Sequence, residues 1–256
     1  MLCLKNSCTG WLALVALVLL LLVPVKSFAA ASPRAVLIID GSGSMWGRID
    51  GREKIVIVRN QLAAQLKTLV GQVDLGVMSY GHRRRRDCRD IEMIKPIAPV
   101  NIETYGSAIK HLLPRGKTPI SSALQMAAKA LAKGQGNKNA PLHIVLVADG
   151  VENCRLDPCE TARTLATTYP QLTIDVIGFG VPQKDLPQLQ CITKATKGRF
   201  RRADHAKPLK DAIHALFSNL GLTESQHLAK PKKKTDPAGL YLSAGLSDQG
   251  RRLAKQ

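Results

Sequence analysis

The sequence predicts an α/β fold built on a doubly wound, mostly parallel sheet with helices on both faces. Three observations predict it. Short, continuous, β-branched apolar runs alternate with longer runs whose apolar residues recur at three and four positions. Two of the short runs, Val36-Leu37-Ile38-Ile39 and Leu142-His143-Ile144-Val145-Leu146-Val147, are apolar almost throughout, as strands buried on both faces must be. The alternation runs to about Leu220 with no linker, and strand–helix alternation of this kind folds as one domain around a parallel sheet.

Taken in order, Ala35–Asp40 reads as a fully buried strand. Glu53–Val70 reads as a helix, because Ile55, Val58, Leu62, Leu66 and Leu69 fall on one face. Val73–Tyr80 is a second strand. Ile91–Ile97 is a third, which Pro96 and Pro99 confine to an edge. Ile102–Leu113 and Ser121–Lys133 are helical, broken apart by Pro114 and Gly116. Leu142–Ala148 is a strong buried strand. Asp157–Tyr169 is a helix that opens with an N-cap aspartate and a proline at its first helical position. Leu172–Gly178 is a strand, Leu186–Thr196 a helix, Arg199–Ala203 a short strand and Lys207–Leu220 a closing helix.

The two ends of the chain read differently. Met1–Ser7 carries Lys5 and no acid, Trp11–Val23 is a continuous apolar run, and small residues around Ala29-Ala30-Ala31 offer a cleavage site, so residues 1–31 are expected to be a secretory signal peptide. The rival, an uncleaved membrane anchor, needs a longer apolar run, roughly 20 residues. Residues 32–222 form the folded domain, and residues 223–256, with Lys230-Pro231-Lys232-Lys233-Lys234 and few apolar residues, are expected to be a basic, mostly disordered tail.

Export shapes the remaining chemistry. Cys3 and Cys8 would leave with the leader, and Cys88, Cys154, Cys159 and Cys191 would remain as an even set in an oxidising compartment. Cys88–Cys154 with Cys159–Cys191 is the favoured pairing, since the helices carrying the second pair should be neighbours; Cys154–Cys159 with Cys88–Cys191 stays open. The formal charge is +18, and losing Lys5 and Lys26 takes it to +16. So basic a chain suits anionic partners: acidic protein faces, lipid headgroups or envelope polymers, with nucleic acid not expected of an exported protein and membrane contact only through an uncleaved leader.

The chemistry concentrates where two buried strands end. In an open α/β sheet, ligands bind beyond the carboxyl ends of the strands, where the winding reverses. Asp40 ends the first strand, and Ser42 and Ser44 follow at alternate positions with Gly41 and Gly43 between them. Asp149 follows the Leu142–Ala148 strand, and Thr118 lies just before a helix. Every donor is a hard oxygen and none is His or Cys, which suits Mg2+, Mn2+ or Ca2+. Two carboxylates and three neutral hydroxyls leave a cation under-neutralised, so a partner's carboxylate is the expected last ligand. Hydrolysis would need a base besides; Glu152 is the one candidate, and a loop acid with no such role is the alternative.

These motifs, Asp40-Gly-Ser42-Gly-Ser44, Gly116-Lys117-Thr118-Pro119 and Asp149-Gly150, resemble the three parts of the metal-ion-dependent adhesion site of von Willebrand factor A domains. Met45-Trp46, Gly81-His82-Arg83, Asp87-Cys88, Asn153-Cys154, Asp157-Pro158-Cys159 and Gln190-Cys191-Ile192 are similar to an exported bacterial subset, some members of which are labelled Ca2+-activated chloride channel homologues. The resemblance covers roughly residues 34–220. It implies a Rossmann-like six-stranded sheet of order 3-2-1-4-5-6 with Ile91–Ile97 antiparallel. It also implies metal ligation by Ser42, Ser44 and Thr118 and, directly or through water, by Asp40 and Asp149, with Mg2+ the first choice. No channel is implied.

The expected function is therefore an exported, periplasmic or secreted, metal-dependent binding module that grips an acidic group of a protein or another anionic ligand. The alternatives are a metal-independent basic envelope scaffold and a metal-assisted hydrolase. Arg83, Arg84, Arg85 and Arg86, at the hairpin tip after the second strand, are expected to rim the site and steer acidic partners; the alternative is a solvated loop whose charges physiological salt screens. Trp46 is either an interface anchor or a ring packed over the metal loop.

Overall fold

The first strand of the chain is the centre of the sheet, and everything else is wound outward from it. A computed structural model describes residues 32–133 and 140–220. The expected signal peptide (residues 1–31) and basic tail (residues 223–256) lie outside the described residues. Six strands form the main sheet: β1 Arg34–Asp40, β2 Asp74–Tyr80, β3 Ile91–Pro99, β4 Leu142–Ala148, β5 Leu172–Phe179 and β6 Phe200–Ala203. Their order is β3-β2-β1-β4-β5-β6. Only the β2–β3 pair is antiparallel. The chain moves from β1 to one edge, returns to the other side of β1 at β4, and winds out to the opposite edge. That reversal opens a crevice between the carboxyl ends of β1 and β4.

Among the described residues, six helices cover the sheet: α1 Lys54–Gln65, α2 Ile102–Lys110, α3 Ile120–Ala132, α4 Pro158–Thr168, α5 Leu186–Ala195 and α6 Ala206–Leu220. Strand side chains alternate between two cores, as the pleat requires. Leu37, Ile39, Val77, Val145, Val147 and Phe179 pack on one face with Ile55, Val58 and Leu62 of α1, Ile109 of α2, and Ile213 and Phe217 of α6. Val36, Ile38, Met78, Ile144, Leu146 and Val176 pack on the other with Leu124 and Leu131 of α3, Leu165 of α4, and Leu189 and Ile192 of α5. Burial on both faces of β1 and β4 explains their nearly unbroken apolar runs.

Several boundaries depart from the sequence pattern for local reasons. The helix expected to reach Val70 ends at Gln65, and Leu66–Thr68 tighten into a 3-10 turn. The Thr68 hydroxyl donates to the Gln65 carbonyl at 2.7 Å, while Leu66 and Leu69 stay buried and so prolong the apolar pattern past the α-helix. Helix α2 stops at Lys110 rather than Leu113; Leu113 is exposed and Pro114 cannot continue a helix. Strand β3 runs past Ile97 to Pro99, with a register shift opposite Leu75–Met78 that accommodates prolines on an edge. A two-residue ladder, Arg48–Ile49 against Arg52–Glu53, was not expected. Its turn is Asp50-Gly51, both at positive φ, a hairpin signal that the short flanking strands hide. The N-cap expected for α4 is found: Asp157 accepts from the amides of Cys159 and Glu160 at 2.7 and 3.2 Å.

Among the described residues, no helix is long and apolar enough to cross a membrane.

Candidate metal centre

Three loops meet over the crevice, and their backbones touch. The Gly41 amide donates to the Tyr80 carbonyl, and Arg115 and Gly116 donate to the Gly81 carbonyl at 2.9 and 2.7 Å. The Gly43 amide donates to the Gly116 carbonyl at 3.1 Å. Glycine is required where the chains come closest. Gly81 has φ +65°, and a Cβ there would run into the Lys117 carbonyl. A Cβ on Gly116 would run into the Arg84 carbonyl. The Gly-Ser-Gly and Gly-Lys-Thr signatures are thus joined through backbone before any side chain is considered.

On this frame the oxygens converge. The Ser42 and Ser44 hydroxyls lie 2.9 Å apart, and the Ser44 hydroxyl donates to Asp149 Oδ1 at 2.7 Å. Asp40 Oδ1 accepts from the Ser42 amide at 2.7 Å, and its Oδ2 lies 3.4 Å from the Asp149 amide. Asp40 is 0% exposed and Asp149 3%. Thr118, also buried, lines the same cavity as Ser42 and Ser44. Asn153 brackets Thr118 from the far side. Its Oδ1 accepts from the Thr118 amide at 2.8 Å, and its Nδ2 donates to the Thr118 hydroxyl at 3.3 Å.

The electrostatics fit a cation. Burial above all, then the neighbouring Asp149 carboxylate, push the Asp40 carboxyl up to about 7, against the pull of the Ser42 hydroxyl and amide. The Tyr80 hydroxyl, fully buried, approaches Asp40 but stops short of a hydrogen bond. Two desolvated carboxylates beside the Ser42 and Ser44 hydroxyls, with Thr118 lining the same cavity as the serines, form an oxygen-rich set whose charged form a hard dication would favour. The donor set therefore fits Mg2+, with Asp40, Ser42, Ser44, Thr118 and Asp149 as the residues that would hold it, directly or through water.

Lys54, the first residue of α1, is a member that sequence reading missed. Its Nζ lies 2.9 Å from Asp149 Oδ2, with the carboxylate side chain fully buried. The two Asp149 oxygens are thus divided between Ser44 and Lys54. No spacing rule marks a lysine beyond the Asp50-Gly51 turn as part of the site; the hairpin that carries the chain there was itself unread.

Glu152, the one candidate base, spends both oxygens on backbone. Oε2 accepts from the Ser121 amide at the start of α3 and Oε1 from the Cys154 amide, each at 2.8 Å. It caps a helix and shapes its own loop.

The arginine loop divides. Arg83 pairs with Asp90 at 2.8 Å and with Glu92 at 3.1 Å, and Arg84 pairs with Asp87 at 3.3 Å. Arg85 and Arg86 line the cavity beside Ser42 and Ser44, together with Arg115 and Lys117. The loop is organised by Asp90, which sequence reading did not single out. This fully buried carboxylate accepts from the amides of Arg83 and Arg84, each at 2.8 Å. Burial pushes its carboxyl up, but those two amides and the Arg83 guanidinium outweigh burial and hold it below the usual carboxylate value.

The cysteines pair as Cys88–Cys154 and Cys159–Cys191, with Cα separations of 5.7 and 5.5 Å. The first disulfide ties the arginine loop to the segment after Asp149, one residue from Asn153. The second staples α4 to α5. Trp46 is 49% exposed, and its indole N–H donates to the Pro114 carbonyl at 2.9 Å.

Comparison with known proteins bears on the fold. Residues 35–152 match the family model of the von Willebrand factor type A domain. The chain is 26% identical over 197 residues to the uncharacterized protein YwmD of Bacillus subtilis, covering 73% of this chain and 87% of that one. It is 27% identical over 179 residues to YwmC of the same organism, covering 67% and 77%. Among solved structures, a von Willebrand factor type A protein from Catenulispora acidiphila superposes with a TM-score of 0.61 at 18% identity, over 74% of this chain and 43% of that one. The pilus adhesin SpaC from Lactobacillus rhamnosus GG superposes with a TM-score of 0.61 at 14% identity, over 75% of this chain and 31% of that one. This chain thus spans less than half the length of either solved protein, and at these identities the likeness is one of fold.

Proposed function

We propose, from the match of residues 35–152 to the von Willebrand factor type A domain, that this chain is an exported binding module of that kind which grips an acidic group of its partner through a divalent cation, Mg2+ first among the candidates. One observation carries the reading: Asp40, Ser42, Ser44 and Asp149 converge at the ends of two adjacent strands, with the Ser44 hydroxyl between the Ser42 hydroxyl and Asp149. A dication held there would supply a coordination position for an anionic oxygen from outside the protein. The chain's own residues create the demand for that oxygen. Three of the five donors are neutral, and Lys54 offsets part of the charge of Asp149. Export is supported by the leader-like sequence of residues 1–31 and by two disulfides, which persist in oxidising compartments.

The hydrolase alternative is weakened by the commitment of Glu152 to the Ser121 and Cys154 amides. The metal-independent scaffold would bind through the arginines and the basic tail; Arg83 and Arg84 are taken up in ion pairs within their own loop, and the tail lies outside the described residues.

Isothermal titration calorimetry with MgCl2 tests the reading. Wild type should bind one ion per chain, and Asp40→Ala, which removes a buried carboxylate from the set, should lose at least tenfold in affinity. Equal heats for the two proteins, or none for wild type, would overturn it.

A further inference from the structure

We propose that the rim of this centre is a two-part dock for an acidic protein segment. Arg85, Arg86, Arg115 and Lys117 take carboxylates flanking the one that meets the metal, and Trp46 with Leu113 takes an apolar side chain beside them. The inference rests on the metal-binding reading above and goes further by fixing the chemistry of the partner.

The cationic half is built rather than incidental. The cavity encloses about 340 Å3, more room than one carboxylate needs, and all four cations line it with Ser42, Ser44 and Thr118. Among the described residues none of the four forms an ion pair, although Arg83 and Arg84, in the same loop, both do. The loop therefore separates arginines that hold its own shape from arginines that face the cavity. Arg86 is also held at φ +57°, a conformation that Gly or Asn adopts more easily. Strain of this kind is tolerated where a side chain is wanted at that point. Arginines that line a cavity without an ion-pair partner among the described residues have guanidinium groups left for bidentate contact with a ligand's carboxylates.

The apolar half decides the class of ligand. Trp46 ends the 3-10 turn Gly43–Trp46, two residues beyond Ser44. Its ring is half exposed yet pinned by the hydrogen bond to the Pro114 carbonyl. Leu113, the neighbour of Pro114, is 41% exposed, and Met45 beneath the turn is fully buried. A half-exposed tryptophan fixed to the residue that follows an exposed leucine loses little entropy on binding and is the kind of residue that anchors protein interfaces. A phosphate polymer offers such a shelf nothing; a peptide with an apolar residue near its acids does.

The test uses fluorescein-labelled octapeptides in millimolar magnesium: one with four clustered Glu and an adjacent Leu, the same with Leu replaced by Ser, and one with a single Glu. Fluorescence anisotropy should rank them in that order. Trp46→Ala should weaken the Leu peptide about tenfold while leaving the Ser peptide nearly unchanged, the signature of a direct contact. Arg85→Gln with Arg86→Gln should slow association at low salt and flatten its salt dependence. Circular dichroism is the control that both variants fold. The proposal is overturned if clustered and single acids bind alike, if Trp46→Ala treats both peptides equally, if inorganic polyphosphate binds better than the Leu peptide, or if magnesium-loaded protein binds no peptide. Peptide binding that keeps its Trp46 and arginine dependence in EDTA would instead sustain the dock and sink the metal reading.

Discussion

Asp149 shows how the site is balanced residue by residue. One oxygen holds the Ser44 hydroxyl and the other holds Lys54. Lys54→Met should therefore act in two directions. The metal-free protein should lose roughly 3 kcal/mol, because a buried carboxylate is left unpaired. Affinity for magnesium should rise on the order of tenfold, since a competing positive charge has gone. Urea unfolding with and without magnesium reads both effects, and unchanged magnesium affinity would show that Lys54 is structural only. Asp90 gives the pH dependence of the neighbouring loop. Its folded carboxyl lies below the usual value, so the stability it contributes is present above that usual value and is lost as pH falls through the folded one. Protection of the Arg83 and Arg84 amides from hydrogen exchange, taken relative to the intrinsic rate at each pH, should stay high at neutral pH and fall only in acid, and Asp90→Ala should abolish it throughout. The side chains proposed to hold the metal could be picked out in the sequence because each ends or follows a buried strand or precedes a helix. Lys54 and Asp90 were not, because their roles depend on partners 95 and 6–7 residues away.

At the scale of elements, three loops are held together by glycine contacts, and one disulfide ties the arginine loop among them to a fourth, the segment after Asp149. Gly81→Ala combines a positive φ with a collision against the Lys117 carbonyl. It should cost about 1–3 kcal/mol in thermal or urea unfolding and loosen the arginine loop from the Thr118 segment. The Cys88–Cys154 bond closes a separation of 66 residues. Replacing both cysteines by serine should lower stability by about 4 kcal/mol on the chain-entropy account. It should also weaken magnesium binding, since Asn153, adjacent to Cys154, brackets Thr118. Strand and helix identities were readable from periodicity, and the prolines of β3 marked an edge. Helix ends were less readable. Leu66 and Leu69 continue the apolar pattern through a 3-10 turn, because burial constrains side chains and not the hydrogen-bond pattern beneath them. The Arg48–Glu53 hairpin is too short for alternation to register.

At the scale of the whole molecule, the sheet order places β1 and β4 side by side, and that adjacency turns two distant motifs into one centre. Periodicity gave a parallel α/β sheet; the order of the strands came from the resemblance of the loop motifs, and no alternation of apolar residues encodes it. If the centre holds magnesium, the ion stabilises the entire fold. At a hundredfold excess over its dissociation constant the gain is about 2.7 kcal/mol. Thermal scans should therefore show Tm rising with MgCl2 in wild type and staying flat in Asp40→Ala. The most direct measurement is anomalous diffraction from crystals of the protein soaked in millimolar manganese. The account predicts one strong peak among Asp40, Ser42, Ser44, Thr118 and Asp149. A map with no peak there, from crystals in which those loops are ordered and solvent-accessible, would contradict it.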